Sequence, residues 1–236
     1  MRFVPSYVAA KRVQMSPLLL SKITSTLHVA MGNNEDERVN LGLSIKFSGK
    51  NQKVHGYSRK TVRGWDFSEK AIQLIQEYKD RFPDFIAMLE RDVNDDIYKA
   101  RKIFPPETAS KRVEEIKAWL KTLDCRQQER VSIDAEILGK DTVRLIEEAT
   151  DRILGASPGY RSVTIQNIPR FALLKPSFAA TRLSNQQFQL GDRVVYVQDS
   201  GNVPIAAQGT VVGKQGTELD VVFDQTFMSG TTLGDR

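Results

Sequence analysis

LGDRVVYVQDSGNVPIAAQGTVVGKQGTELDVVFD, residues 190–224, is the stretch from which the fold is read. It divides into three apolar runs with turn chemistry between them. Val194 to Val197 is halted by Asp199, Ser200 and Gly201, Gly209 to Val212 by Gly213 and Gly216, and Leu219 to Phe223 is the third. β-Branched residues cut by Gly, Asp and Ser clusters predict short strands. Three such strands meander into a small SH3-like barrel. The pattern is common to many small barrels, so by itself it gives a fold and no function.

The 236 residues around this stretch allow one large domain or two to three small ones, and an apolar share of 40% supports ordinary cores. Nothing approaches 18 uninterrupted apolar residues, which excludes a membrane-spanning helix. The opening MRFVPSYVAAKRVQMSPLLLSK has only Leu18 to Leu20 as an apolar run, too short for a secretory leader. One cysteine, Cys125, excludes an internal disulfide and suits a reducing compartment, so the expected location is intracellular. The net charge of +5 is segregated. Residues 1–63 are net +8, 64–151 net −5, 152–191 net +5 with no acid, and 192–236 net −3. A polyanion prefers the first and third segments.

Residues 1–60 read as β-rich. Residues 23–31 (ITSTLHVAM) are mostly β-branched. Val39, Leu41, Leu43, Ile45 and Phe47 alternate with polar or small residues as one half-buried strand, and 53–59 form a shorter one. Residues 64–153 are helical. Asp66 with Glu69 resembles a capping box, Pro83 ends or bends the first helix, and Pro105-Pro106-Glu107 starts another, with Val113, Ile116, Leu120 and Leu123 as its buried stripe. A third helix is capped by Asp141, with Val143, Ile146, Ala149 and Ile153 facing the core. Residues 162–165 and 171–174 flank Asn167-Ile168-Pro169 as a hairpin. Both β-rich stretches are basic and too small to bury a core alone. The expected fold is therefore α+β and multidomain. A small β-barrel-like module of residues 1–63 plus 155–180 is interrupted by a helical, winged-helix-like module of 64–154, and an SH3-like barrel of 186–236 follows.

Several strings together carry a resemblance. GDRVVYVQDSGNVPIAAQGTVVG, LDVVFD and FMSGTTLGDR resemble the SH3-like domain of the cytoplasmic 5'-to-3' exoribonuclease (Xrn) family. GYSRKTVRGWDFSEKAIQLIQEY, KARKIFPPETASKRVEEIKAWL and SIDAEILGKDTVRLIEEA, with MSPLLLSKITSTL and VNLGLSIKF, resemble the region preceding it, in the same order, over roughly residues 13–235. The resemblance implies Tudor-like, KOW-like, winged-helix and SH3-like modules that follow a large nuclease. That nuclease degrades decapped or monophosphorylated RNA in cytoplasmic mRNA decay by two-metal, magnesium-dependent hydrolysis. It also implies further barrel strands after Arg236. The split β module corresponds to the KOW-like one.

Two-metal hydrolysis needs carboxylates converging on cations about 4 Å apart. The acids here are scattered, the densest being Asp92, Asp95 and Asp96, which read better as a solvated loop. No catalytic residue and no cofactor is therefore assigned to this chain. The candidate RNA-binding residues are Lys46, Lys50, Lys53, Arg59, Lys60 and Arg63, a basic run without an acid, interleaved with Phe47, His55 and Tyr57 and followed by Trp65. Cations attract phosphates and aromatic faces stack on unpaired bases. The competing reading is a basic edge facing solvent or the acidic helices of the same chain. His28 and His55 lack metal-ligand spacing, Cys125 reads as a structural thiol despite Arg126, and Trp119 reads as core. Residues 139–142 are a fragment of a phosphate loop, better read as a helix cap, and no aromatic groove for proline-rich peptides is visible. The expected role is a non-catalytic scaffold for the nuclease core, in cis or in trans, that helps guide single-stranded RNA, with no DNA or membrane partner. The alternative is a free-standing RNA-binding adaptor.

Overall fold

Ser16 and Pro17 show how local the first instructions are. In the computed structural model, which describes residues 2–31, 37–91, 97–128, 130–156 and 163–233, Ser16 accepts from the Leu19 N–H and Pro17 occupies the first helical position. Strand β1 (Phe3–Pro5) runs into helices α1 (Ser6–Arg12) and α2 (Pro17–Thr24), followed by β2 (His28–Ala30), β3 (Arg38–Asn40), β4 (Lys46–Phe47), β5 (Gln52–Val54), β6 (Ser58–Thr61) and β7 (Gly64–Ser68). Then come α3 (Glu69–Arg81), α4 (Pro83–Arg91), β8 (Tyr98–Lys99), α5 (Ala100–Ile103), α6 (Ala109–Thr122), α7 (Asp124–Gln127) and β9 (Arg130–Ser132). These elements make up a first compact unit, Met1–Ile133. Its three-stranded sheets are ordered β1-β7-β6, β3-β2-β8 and β4-β5-β9.

The single long strand expected over 39–47 is broken. Ser44 takes φ 55, and the backbone N–H groups of Leu41, Leu43 and Ile45 donate to Leu27, Ile23 and Thr24 rather than to a neighbouring strand. Leu41, Leu43 and Ile45 are fully buried as the alternation requires, but Ser44 and Lys46 on the other face are buried too. The pivot is Gly42, where a Cβ would stand 2.1 Å from the Ser25 carbonyl oxygen and 2.8 Å from the Leu27 nitrogen. Gly42→Ala is expected to destabilise this unit by about 2–3 kcal/mol through overpacking against backbone, read as a lowered urea midpoint. Residues 23–24 finish α2 and do not open a strand.

The helical stretch from α3 to α7 lies between β7 and β9 in the first unit, whereas residues 155–180 belong to the second. The strand that returns across it is β9, which pairs with β5 through Lys53↔Val131, while β8 pairs parallel with β2. Helix α3 is capped by Ser68, whose side chain accepts from Ala71, not by Asp66, which sits in β7. Pro83 starts α4 as well as ending α3, and α6 begins after the Pro105-Pro106 turn. Tyr78 stacks on Trp119 at 5.1 Å between ring centres, Phe82 meets Trp119 edge-on at 5.6 Å, and Phe85 stacks on Phe104 at 5.7 Å. Trp119 is thus core, as the spacing suggests. Burial pushes the Cys125 thiol up to about 11, which leaves it inert.

The second unit, Asp134–Arg236, contains β10 (Glu136–Ile137), α8 (Lys140–Ala156), α9 (Pro176–Arg182), β11 (Arg193–Val195), β12 (Gln208–Gln215) and β13 (Glu218–Phe223). The three strands read from residues 190–224 are all present. β12 is central, with β13 on one side and β11 and β10 on the other, and it bulges between Val211 and Gly213. A Cβ at Gly213 would meet the Asp220 carboxylate at 2.3 Å and push that side chain aside, whereas a Cβ at Gly209 would meet the Val222 backbone carbonyl oxygen at 2.6 Å. The hairpin expected over 162–174 is corrected: residues 163–169 have no regular structure and Arg170–Ala172 is a 3-10 turn. The cause is a competing partner, since the Arg182 guanidinium donates to the Phe171 and Leu173 carbonyls and ties the segment to α9. The core face expected on α8 is also corrected. Val143 is buried, whereas Ile153 is exposed and Ile146 and Ala149 only half-buried. Asp141 stands inside the first turn of α8. Among the described residues no helix is long and apolar enough to cross a membrane.

Candidate nucleic-acid interface

The basic run from Lys46 to Arg63 spans β4, the turn Ser48–Lys50, β5, β6 and the start of the β6–β7 turn. The structure sorts its cations into two groups. Lys46 and Lys53 face each other across β4 and β5, and both are buried. Lys46 donates to the Ser21 hydroxyl at 2.8 Å, and Lys53 donates to the Ile133 carbonyl at 2.7 Å. Arg59 pairs with Asp66 at 3.0 Å and lies over the Phe3 ring at 4.9 Å. These three are committed within the fold.

Lys50, Lys60 and Arg63 are exposed and make no ion pair among the described residues. One hydrogen bond draws them together. The Trp65 Nε1–H donates to Ser48 Oγ at 3.1 Å, fastening the turn that carries Lys50 to the hairpin that carries Lys60 and Arg63. Lys60 lies across from Trp65 in the strand register, with its ammonium 5.4 Å from the ring centre. Asn51 takes the left-handed φ of 49 that ends the turn, a conformation Asn tolerates. Among the described residues these three cations make no ion pair with the acidic helices. The contacts that join the basic and helical segments are made by other residues, among them Tyr57, whose hydroxyl donates to Asp124 at 3.2 Å, and Arg12, which pairs with Glu69.

The aromatic part of the expected interface is corrected. Phe47, Tyr57 and Trp65 are all buried. The Phe47 ring is covered by Arg130 at 4.3 Å and the Tyr57 ring by Lys70 at 4.8 Å. They present no face to a base, so what remains is a phosphate-type surface of cations. His28 lies in β2 and His55 in the turn after β5.

Lys46 is held at a cost to stability. Burial, and then the charge of Lys60, brings its ammonium down from 10.5 to about 8. A lysine depressed in the folded state opposes folding fully below about pH 8, and the penalty fades as pH rises toward the unfolded value. Lys46→Met is expected to stabilise the protein at pH 7 by about 1–3 kcal/mol, with the gain shrinking toward pH 10. Thermal melts at the two pH values check this.

Among the described residues, no group of three or more His, Cys, Asp or Glu could hold a metal ion. Asp92, Asp95 and Asp96 lie outside the described residues. In the second unit, Tyr196 donates to the Ser200 carbonyl at 2.7 Å. An apolar groove of about 840 Å³ lies between α9 and the sheet, lined by Leu174, Leu183, Val195, Leu219, Val221 and Phe223. The sequence did not signal it, because its two sides come from stretches that read separately as the second part of the split β module and as the barrel.

Small sheets and helices, followed by a four-stranded sheet built on one long bulged strand, define a multi-module α+β region whose last module is SH3-like. The comparisons make this particular. Residues 1–168 match the family description "Exoribonuclease Xrn1 D2/D3 domain" and residues 186–236 match "Xrn1 SH3-like domain". The chain belongs to the Xrn1 exoribonuclease family. It is 45% identical over 235 residues to 5'-3' exoribonuclease 1 of Schizosaccharomyces pombe, covering 100% of this chain and 17% of that protein. It is 35% identical over 242 residues to the Saccharomyces cerevisiae protein of the same name, covering 100% and 16%. The human 5'-3' exoribonuclease 1 is 29% identical over 245 residues, covering 98% and 14%. The chain thus spans about a sixth of the length of the curated relatives it matches.

Proposed function

We propose that this chain is a non-catalytic accessory region of a 5'-to-3' exoribonuclease of cytoplasmic mRNA decay, which buttresses the nuclease core and guides single-stranded RNA toward it. The helices between β7 and β9 form the winged-helix-like insertion and the surrounding strands the KOW-like module. The magnesium ions of the reaction belong to the nuclease core, and the chain itself takes no cofactor. The observation that carries the reading is coverage: relatives named as exoribonucleases align with the chain from end to end while the chain covers only a small part of each. Two surfaces support it. The cations Lys50, Lys60 and Arg63 suit phosphates, and a row of exposed apolar side chains, among them Val163, Ile165, Phe171 and Phe178, suits docking on protein.

The test uses the purified 236-residue chain with the remainder of the S. pombe 5'-3' exoribonuclease 1 expressed separately. The chain is expected to bind that remainder with micromolar affinity or better and to raise its turnover of 5'-monophosphorylated RNA. The double change Phe171→Asp, Phe178→Asp is expected to weaken pairing about tenfold or more without unfolding the chain, since both side chains are exposed. Digestion of such RNA by the chain alone with magnesium overturns the non-catalytic reading. Tight RNA binding with no pairing to the nuclease selects the free-standing adaptor instead.

A further inference from the structure

The charge map of the sequence gives residues 64–151 an acidic balance that repels polyanions, but folding gathers some of their cations onto one surface. A groove of about 550 Å³ lies between β3, the C-terminal half of α6 and α7. Its lining brings together Arg38, Lys117, Lys121 and Arg126, with the amide side chains of Asn40 and Gln127, and includes no carboxylate. Arg38 comes from the basic first segment and the other three cations from the acidic second. Lys117 pairs along α6 with Glu114 at 2.9 Å, and Lys121 makes no ion pair among the described residues.

Arg126 is the anomaly in this groove. One Nη donates to the Gly42 carbonyl, while Nε–H is buried and has no partner. No described carboxylate pairs with the guanidinium. Its burial, and the neighbouring Arg130, hold it below the ordinary arginine value. A half-buried cation without a counter-charge is costly, because solvent is withdrawn and nothing replaces it.

We propose that this groove is a phosphate-binding site that takes a backbone phosphate of single-stranded RNA, separate from the cationic face of β6 and β7. An anion in the groove supplies a counter-charge that no described carboxylate gives Arg126. Guanidinium forks match phosphate oxygens in geometry, Lys121 adds an ammonium group with no ion pair among the described residues, and Lys117 adds one shared with Glu114. The volume falls within the ~300–1,000 Å³ of ordinary ligand sites. Its apolar lining does not favour an acidic peptide. Leu120 is 2% exposed and Val39 packs against the core, so no apolar anchor is offered to a docked side chain. A phosphate needs only the cations.

The probe is a fluorescein-labelled 12-mer oligouridylate, titrated with the 236-residue chain by anisotropy between 50 and 200 mM salt. Arg38→Glu with Lys121→Glu, both exposed and compared with Lys121→Glu alone because Arg38 also interacts within the chain, is expected to weaken binding on the order of 10- to 100-fold at the low-salt end and to flatten the salt slope by about two units. Without any variant, inorganic phosphate is expected to shift the Gln127 side-chain amide signals in a ¹⁵N correlation spectrum. Unchanged RNA affinity in the double variant overturns the groove. If Lys50→Glu with Lys60→Glu then abolishes binding, the β6–β7 face stands without it. Tighter binding of an acidic peptide of equal charge, lost in the same variant, overturns the RNA assignment, and failure of the wild-type chain to bind the oligonucleotide overturns it as well.

Discussion

Trp119→Ala is expected to destabilise the first unit by about 3–5 kcal/mol, the range for emptying a large aromatic site. The reason is the position of the ring. Trp119 is 8% exposed, stacks on Tyr78 and takes the edge of Phe82, so its loss leaves a hole lined by rings that cannot all collapse inward. Tyr78→Phe is expected to lose less, about 1–2 kcal/mol, because the ring stays and only the O–H donated to the Leu41 carbonyl at 2.6 Å is removed. Urea unfolding followed by tryptophan and tyrosine fluorescence separates the two, with Trp65 as the remaining indole in the first variant. Under conditions where Trp119→Ala is folded, its affinity for single-stranded RNA is expected to equal that of the unaltered chain. A selective loss of RNA binding would instead make this ring a base platform.

The strands of residues 190–224 were legible because their apolar runs are short and their stops are glycines with a geometric duty, as Gly216 shows with its positive φ of 58 between β12 and β13. Helices α3 and α6 were legible from their stripes, but α1, α2 and α9 fall in stretches read as β-rich and the stripe read on α8 is largely unburied, so only part of the helical stretch was legible. Its closing strand was not, since Arg130–Ser132 is three residues long and carries no periodicity. The 39–47 alternation was a correct statement about burial and a wrong one about backbone, because period-2 patterning cannot register a left-handed residue such as Ser44. At the interface, residue type announced charge but not accessibility. Lys46 and Lys53 are spelled like Lys50 and Lys60, and only the pairing of β4 with β5 turns them inward. The Arg38–Arg126 groove could not be read at all, because its cations are spread over almost ninety positions and two segments of opposite net charge.

Reversing the charge of the exposed cations, Lys50→Glu, Lys60→Glu and Arg63→Glu together, is expected to reduce affinity for single-stranded RNA by about 100- to 1,000-fold at 50 mM salt and to lower the salt slope by about two to three. Each side chain is exposed and free of ion pairs among the described residues, so the change removes attraction and adds repulsion, and the fold contact it gives up is that of the Lys60 ammonium over the Trp65 ring. The Trp65 to Ser48 hydrogen bond that draws the turn and the hairpin together is untouched. Reversal of Arg59 is a poor control, because it sets two carboxylates against each other at Asp66 and reports stability instead. Substituting uridine with an abasic backbone of equal length is expected to leave the affinity nearly unchanged, because Phe47, Tyr57 and Trp65 are covered and offer no stacking face. If the abasic strand binds tenfold more weakly, bases are being read by a surface other than this one. If the triple reversal leaves both affinity and salt slope intact, the β6–β7 face does not contact RNA, whatever the Arg38–Arg126 groove does.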